Sequence, residues 1–237
     1  MSQRKAKKIL KEVVTSYEKI GEEFDRTRQI PVKEFELFRK HIKPGAYIAD
    51  LGCGNGRLLK SLGTFSRHYL GIDNSETMLK TAKKNFPGHN FINGDQLKIP
   101  VADGIMDIVF NIRAFHHLPS KKLRLQALSE MNRILRPNGI LIITVWNLWQ
   151  PKYRNLALRA CLRFLYTLGG YSWNDFFVPW GKTVKRYYHA FTPLELNNLV
   201  TDSGFEIEEL YAVRDGIIVP LKESHDIVII ARKNNNV

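Results

Sequence analysis

The chain has 237 residues, 44% hydrophobic and 25% charged, which suits one α/β domain with an elaboration at roughly 150 residues per domain and excludes wholesale disorder. No apolar run reaches the roughly 18–20 residues of a membrane span, and the basic stretch Met1–Lys11 lacks the apolar region of a secretory signal. Lysine and arginine total 36 against 23 acids, a formal net charge of +13, which fits an anionic partner such as nucleic acid, a membrane surface or an acidic substrate, and equally a merely soluble basic protein until the charge is located.

In chain order, residues 3–23 read as a helix, with Ile9, Val13, Tyr17 and Ile20 three or four apart. Residues 31–42 suggest a second, with Pro31 at its start and Phe35, Phe38 and Ile42 on one face. Strands follow near 46–51, 68–72, 90–93, 105–111 and 139–146. Helices alternate with them near 55–63, 75–86 and 120–135, the last with Ser120 as N-cap. Such alternation means right-handed βαβ units around a mostly parallel sheet. Thr192–Ser203 reads as a helix stopped by Gly204. Strands near 205–213 and 225–232 follow it with no helix between them, so they should form an antiparallel hairpin at the sheet edge. The Asn-rich tail 234–237 is expected to fray. The expected plan is a single domain over 1–237: a helical cap (1–43), a core (44–146), an insertion (147–191), and a C-terminal helix with its hairpin (192–233).

The insertion interrupts the alternation. Residues 146–191 hold 13 of the 26 aromatic residues, including all four tryptophans, and seven Lys/Arg against the single acid Asp175. Within it, 154–168 reads as a basic amphipathic helix carrying Leu156, Leu158, Leu162 and Leu165. Interleaved cations and rings suit RNA, whose phosphates take the charges and whose splayed bases take the rings. A satellite core of tryptophans capping the site, or a helix lying on a membrane surface, are the other readings. The two cysteines, Cys53 and Cys161, are too few for a disulfide framework and badly assorted for zinc. A reducing cytoplasm is the simplest home.

The chemistry gathers at strand ends. Asp50-Leu-Gly-Cys-Gly-Asn-Gly56 follows the first core strand, and its glycines allow a tight turn and close approach of a ligand. Its spacing is GxGxG, not the GxGxxG of dinucleotide sites. Asp73 ends the second strand, where an acid can accept from ribose hydroxyls and would repel a 2′-phosphate. Asp95 follows the third, where a carboxylate can accept from an adenine amino group. All three lie at the carboxyl ends of successive strands, the crevice where open α/β sheets bind ligands. His116 and His117 are adjacent on a strand exit and point different ways, so no metal site is expected.

Asp50–Gly56, Asp73, Asp95, Asn111–Leu118 and Leu135-Arg-Pro-Asn-Gly139 together resemble the class I S-adenosylmethionine methyltransferases. The resemblance covers about residues 40–145. It implies a Rossmann-like, seven-stranded, mostly parallel sheet with an antiparallel last strand, and S-adenosylmethionine as cofactor with S-adenosylhomocysteine as product. The candidate cofactor contacts are Tyr17, Arg28, Asp50, Gly52, Cys53, Gly54, Asp73, Asn74, Asp95, Gln96, Leu97 and Asn111.

Outside that core, Phe24-Asp-Arg-Thr-Arg28, Asn111-Ile-Arg-Ala-Phe-His-His-Leu118, Val145-Trp146 and Arg186-Tyr-Tyr-His-Ala-Phe191 resemble the wobble-uridine carboxymethyl methyltransferases of eukaryotic tRNA. That family forms a methyl ester on a carboxymethyl group of uridine, and its catalytic half is activated by a small zinc-binding partner. The chain departs from it at Val32, where tryptophan is usual, at Arg113, where a small residue is usual, and over 147–181. The resemblance makes Arg28 and Arg186 candidates for holding a carboxylate, His116 a substrate-facing residue, and Tyr187 and His189 walls of the uridine pocket. A methyltransferase of quinone or lipid precursors, and a catalytically silent RNA- or protein-binding module on the same fold, are the competing readings.

Overall fold

The computed structural model describes residues 1–168, 170–181 and 184–234. Helix α1 runs Gln3–Thr27, with the Ser2 hydroxyl accepting from Lys5 N at its start. It is one turn longer than its apolar spacing predicts, which makes Arg28 its C-cap. The expected second helix shrinks to α2, Phe35–Phe38, followed by a 3-10 turn over Arg39–His41. Val32 explains the late start: its N–H donates to Ser61 Oγ at 2.9 Å, which commits Pro31–Val32 to a crossing strand of chain instead of a first helical turn.

The core then alternates: β1 (Tyr47–Leu51), α3 (Leu59–Leu62), β2 (His68–Asp73), α4 (Glu76–Asn85), β3 (Asn90–Asn93), β4 (Met106–Ile112), α5 (Lys121–Ile134) and β5 (Leu135–Trp146). Helix α3 is much shorter than the expected 55–63. Gly54 and Gly56 both take positive φ (55° and 76°), so the chain stays unwound until Arg57. Strand β5 starts four residues early, because Leu135 already pairs with Met106 of β4 and a bulge follows before Ile140 pairs with Ile108.

The insertion folds as α6 (Arg154–Tyr166) and a separate antiparallel hairpin, β6 (Asp175–Trp180) with β7 (Val184–His189). Helix α7 (Pro193–Thr201), β8 (Phe205–Arg214), the two-residue β9 (Ile217–Ile218) and β10 (Asp226–Lys233) close the chain. The tail expected to fray lies, beyond Asn234, outside the described residues.

The main sheet has the order β3-β2-β1-β4-β5-β10-β8-β9. Strands β1 to β5 pair in parallel, and β10 runs antiparallel to both its neighbours, β5 and β8. The sheet has eight strands where seven were expected, because β9 adds two residues at the edge. The hairpin is not wholly at the edge either: β10 inserts beside β5 and pushes β8 outward.

Each face of the sheet carries a core. One gathers Val109, Leu141 and Ile143 with Leu128 and Met131 of α5; the other gathers Phe110, Ile142 and Val228 with Phe35 and Phe38. A third, small core of Leu148, Phe176, Val178 and Tyr188, backed by Trp146 and Trp149, holds the insertion against the strand ends. Helix α6 enters it through Leu156 and Ala160. Its other stripe, Leu158, Leu162 and Leu165, faces solvent, so these leucines are not the buried side of the helix.

The strand-to-loop turn after β1 is closely packed. Gly52 has φ 71°, and a Cβ there would overlap the Ala114 methyl of the loop after β4. We predict that Gly52→Ala lowers Tm by about 2–12 °C, from overpacking of about 1–3 kcal/mol added to backbone strain. Calorimetry would show this; an unchanged Tm would contradict the close approach.

Candidate active site

At the carboxyl ends of β1, β2 and β4, roofed by α1 and by the β6–β7 hairpin, lies a cleft of about 420 Å³. The glycine-rich turn forms its floor. The Gly52 and Cys53 amides donate to Ile72 O (2.7 and 3.2 Å), which docks the turn on the end of β2. Asp73 then ties the turn to α4: one carboxylate oxygen accepts from Gly54 N and the other from Ser75 N, each at 2.9 Å. Burial raises the pKa of Asp73 against these bonds. Burial also raises Asp50 to about 7, a shift opposed by the Tyr69 hydroxyl bond at 2.8 Å and reinforced by Asp73.

Helix α1 is stitched onto this floor at its C-terminus. Asp25 Oδ1 accepts from the amides of Asn55 and Asn85, both at 2.9 Å, and Asn55 also donates to Arg28 O. The Phe24–Arg28 motif thus has two jobs: Asp25 anchors, and Arg28 faces the cleft.

The cations are the unusual feature. Arg28, Arg57 and Arg186 all line the cleft, and among the described residues none of them forms an ion pair; the cleft's ion pairs belong to Arg113. Arg28 lies against the rings of Phe24 and Trp180, and burial followed by the charges of Arg113 and Arg186 lowers its pKa. Burial and then Arg113 and Arg28 bring Arg57 down to about 10. Arg186 is 2% exposed and sits among Trp180, Tyr188, Tyr17 and Trp146, with guanidinium-to-ring distances of 4.6–5.7 Å. Its Nη1 donates to Tyr17 Oη at 3.3 Å, and its buried Nε has no partner among the described residues. Aromatic faces compensate a desolvated cation only in part, so these arginines are poised for anionic ligand groups.

The two histidines are fixed by opposite tautomers. His116 Nδ1 accepts from Trp146 N at 3.2 Å, which places its proton on Nε2. His117 Nδ1 meets Tyr187 O at 2.7 Å, so it is the donor there, and Nε2 accepts from Tyr17 Oη at 2.9 Å. Burial drives His116 well below the ordinary histidine range and His117 down to about 3. Both are neutral at physiological pH.

The structure gathers Tyr17, Arg28, Asp50, Gly52, Cys53, Gly54, Asp73, Asn74, Asp95, Gln96, His116 and Arg186 along one cleft. Four sequence candidates fall elsewhere. Tyr187 and His189 turn away from it. Strand alternation sends Arg186 and Tyr188 to the cleft side of β7 and residues 187 and 189 to the other. There the Tyr187 hydroxyl donates to Asp175 at 2.6 Å, while His189 lies 2.7 Å from Glu195 and 3.4 Å from Asp175. That buried network, joined by Asn174, supports the hairpin and cannot wall a uridine pocket. Asn111 and Leu97 lie under the cleft: Asn111 donates to Gln96 Oε1 at 2.9 Å, and the Leu97 amide donates to Asp95 at 2.9 Å.

Sequence reasoning missed Arg57, Trp146 and Tyr188 as site residues. The signal for Arg57 was its place directly after the glycine-rich turn. For Tyr188 it was the period of two along β7.

The family description "Methyltransferase domain" matches residues 49–143, the segment that builds this floor. The chain carries a methyltransferase domain. It is 28% identical over 219 residues to a Schizosaccharomyces pombe protein named tRNA (carboxymethyluridine(34)-5-O)-methyltransferase, covering 81% of this chain and 88% of that one. It is 34% identical over 146 residues to the mouse protein of the same name, ALKBH8, covering 61% of this chain but only 21% of that relative. Among solved structures, a Methanosarcina mazei SAM-dependent methyltransferase superposes with TM-score 0.70 at 22% identity, over 86% of this chain and 99% of that one. A Haloferax volcanii methyltransferase, solved in complex with the Trm112 methyltransferase activator, gives TM-score 0.65 at 16% identity over 95% and 99%. At such identities the structures show the fold.

S-adenosylmethionine is the cofactor this methyltransferase domain takes, and the residues fit it. Asp73 and Asp95, which line the cleft, would offer acceptors to its hydroxyl and amino donors. Arg28 and Arg57, which line the cleft beside Gly52 and Gly54, would meet its carboxylate.

The histidines give a pH test. His117 has a folded pKa far below its unfolded value, so its contribution to stability is present above about 6.5 and is lost as pH falls towards about 3. We predict that His117→Gln flattens the decline in unfolding free energy by up to about 1.4 kcal/mol per pH unit in that window. Denaturant titrations at stepped pH would measure it; parallel profiles would contradict a buried neutral His117.

Proposed function

We propose that this enzyme methylates a carboxylate on a modified wobble uridine of tRNA, forming a methyl ester. The observation that carries this reading is the surplus of buried guanidinium in the cleft. The cofactor brings one carboxylate, and Arg28 with Arg57 suffices for it. Arg186 remains, on the hairpin side, and a second carboxylate, that of the acceptor, would complete it. The name and 28% identity of the fission-yeast relative over most of both chains support tRNA as the carrier. The basic, aromatic insertion supports it as well, since Trp146, Lys152 and Tyr153 line the same cleft.

The mechanism needs little acid–base chemistry. An acceptor carboxylate with a pKa near ~4 is already ionised at neutral pH. Buried, neutral His116 and His117 accord with a reaction that requires no general base. The chain's task is orientation: the Arg186 fork grips the acceptor carboxylate, and Tyr17 and Tyr188 hold that fork in place. The cofactor, when bound, supplies an electrophilic methyl on a sulfonium. Arg186 would hold the acceptor carboxylate on the hairpin side and Arg28 with Arg57 the cofactor's carboxylate on the other, so that the acceptor oxygen would face that methyl. Holding the two groups in line can supply up to about 7–11 kcal/mol.

The proposal includes a cytoplasmic setting and a small activator protein as partner, the latter supported by the complex of the Haloferax neighbour. Among the described residues no helix is long and apolar enough to cross a membrane.

The test is transfer of labelled methyl from S-adenosylmethionine to total tRNA, with and without a Trm112-type activator, followed by mild alkali. The expected result is label that alkali releases. Alkali-stable label would move the acceptor to a base or ribose. No label, with the cofactor bound and the activator supplied, would favour a small-molecule acceptor. Arg186→Ala should keep cofactor affinity within about twofold while lowering kcat/KM about 100-fold or more. Full turnover in that variant would refute its role.

A further inference from the structure

Arg113 occupies a position unlike any other in the cleft. It is a non-glycine residue in the left-handed region, with φ 57°. Its amide donates to Thr144 O and Oγ1 (2.9 and 3.1 Å), which fixes the turn after β4 onto the end of β5. The side chain then crosses the end of β5 to reach the start of β10. There Nε and Nη2 grip Asp226 through both carboxylate oxygens, at 3.0 and 2.6 Å, and Nη2 also reaches Glu34 at 3.0 Å. The Asp226 and Glu34 side chains are only 1% and 6% exposed.

The charges around this clamp are tightly interwoven. Arg57 feels Arg113, Arg28, Glu34 and Asp226 together, and Arg28 feels Arg113 and Arg186. Arg57, Arg113 and Asp226 all line the cleft. Two buried carboxylates therefore lie within electrostatic reach of Arg57, one of the arginines expected to hold the cofactor's carboxylate. A desolvated carboxylate takes the nearest available cation, because leaving it unpaired is strongly unfavourable. One guanidinium that satisfies both acids at once removes the competition.

We propose that Arg113 is a positioning residue whose hold on Asp226 and Glu34 keeps Arg57 free for the carboxylate of the bound cofactor. The inference rests on the reading of Arg57 as a carboxylate holder. Arg113 itself does not touch the reacting atoms. Its removal turns a site that is open to an anion into one closed by internal ion pairs. The strained backbone at Arg113 is maintained by the Thr144 bonds, and it is what carries the side chain over β5 to the first residue of β10.

The test separates charge competition from simple loss of structure. It uses calorimetric binding of two probes: S-adenosylhomocysteine, which carries the carboxylate, and 5′-methylthioadenosine, which has the same nucleoside half without it. In Arg113→Ala, S-adenosylhomocysteine should bind about 10-fold or more weakly, with methylthioadenosine within about threefold of the parent. Adding Glu34→Gln and Asp226→Asn should restore S-adenosylhomocysteine to within about threefold. The Glu34→Gln/Asp226→Asn background also serves if Arg113→Ala alone does not fold, because Arg113→Ala introduced there should cost no further affinity. Equal weakening of both probes, or no restoration on neutralising the acids, would overturn the proposal in favour of a purely structural clamp. Arg57→Ala tests the underlying reading separately. If it does not change the ratio of the two affinities, Arg57 does not hold the carboxylate, whatever Arg113 does.

Discussion

A guanidinium taken out of water must be met by an anion, by π faces or by a ligand, and in this fold the balance is left open on purpose at one place. Arg113 is fully met by Asp226 and Glu34. Among the described residues Arg186 is met only by rings and one tyrosine hydroxyl, with its Nε unpartnered. Arg28 and Arg57 form no ion pair among the described residues, and burial lowers the pKa of both. The cost of holding such cations half-desolvated is repaid when carboxylates enter, so the cleft is built for acidic ligands before any of them arrives.

The rest of the fold can be seen as the frame that keeps these cations in register. Asp25 stitches the end of α1 to Asn55 and Asn85, which sets Arg28 beside the glycine turn that precedes Arg57. The β6–β7 hairpin brings Arg186 from the far side, and the buried Tyr187–Asp175–His189–Glu195 network holds the back of that hairpin. The line from Arg186 through Tyr17 to His117 and on to Tyr187 O joins the helical cap, the post-β4 turn and the insertion in one chain of hydrogen bonds. Three segments far apart in sequence therefore meet at one small volume: the cap and the turn each contribute one side chain, and the insertion contributes Arg186 and the Tyr187 carbonyl.

Much of the fold was legible because strong local signals agreed with it. Strand β3 fell where the sequence placed it, and α5 began after Ser120, whose hydroxyl accepts from Leu123 N. Less was legible where tertiary contacts overrode the pattern. The glycine turn stayed open for Arg57, so a helix expected over 55–63 kept only four residues. The leucines of α6 carry a helical period, but the period alone does not say which stripe is buried, and the insertion core took Leu156 and Ala160 instead. At the site, the glycines and acids were readable because each sits at a strand end. Tyr187 and Tyr188 are neighbours in an unusual motif, and only the pairing of β7 with β6 decides which of them faces the cleft. Arg113 drew notice as a departure from the resembled family, but its partners are 79 and 113 residues away in sequence, beyond what spacing can reveal.

The central claim is that the cleft recognises an acidic acceptor by its charge. The most direct measurement compares two anticodon stem-loops in the presence of S-adenosylhomocysteine and the activator. One carries carboxymethyluridine at the wobble position and the other its carbamoylmethyl isostere, of the same shape but neutral. The account predicts at least about 10-fold tighter binding of the acid, as expected for charge-assisted bonds to a buried guanidinium. Equal affinity for the two would contradict it.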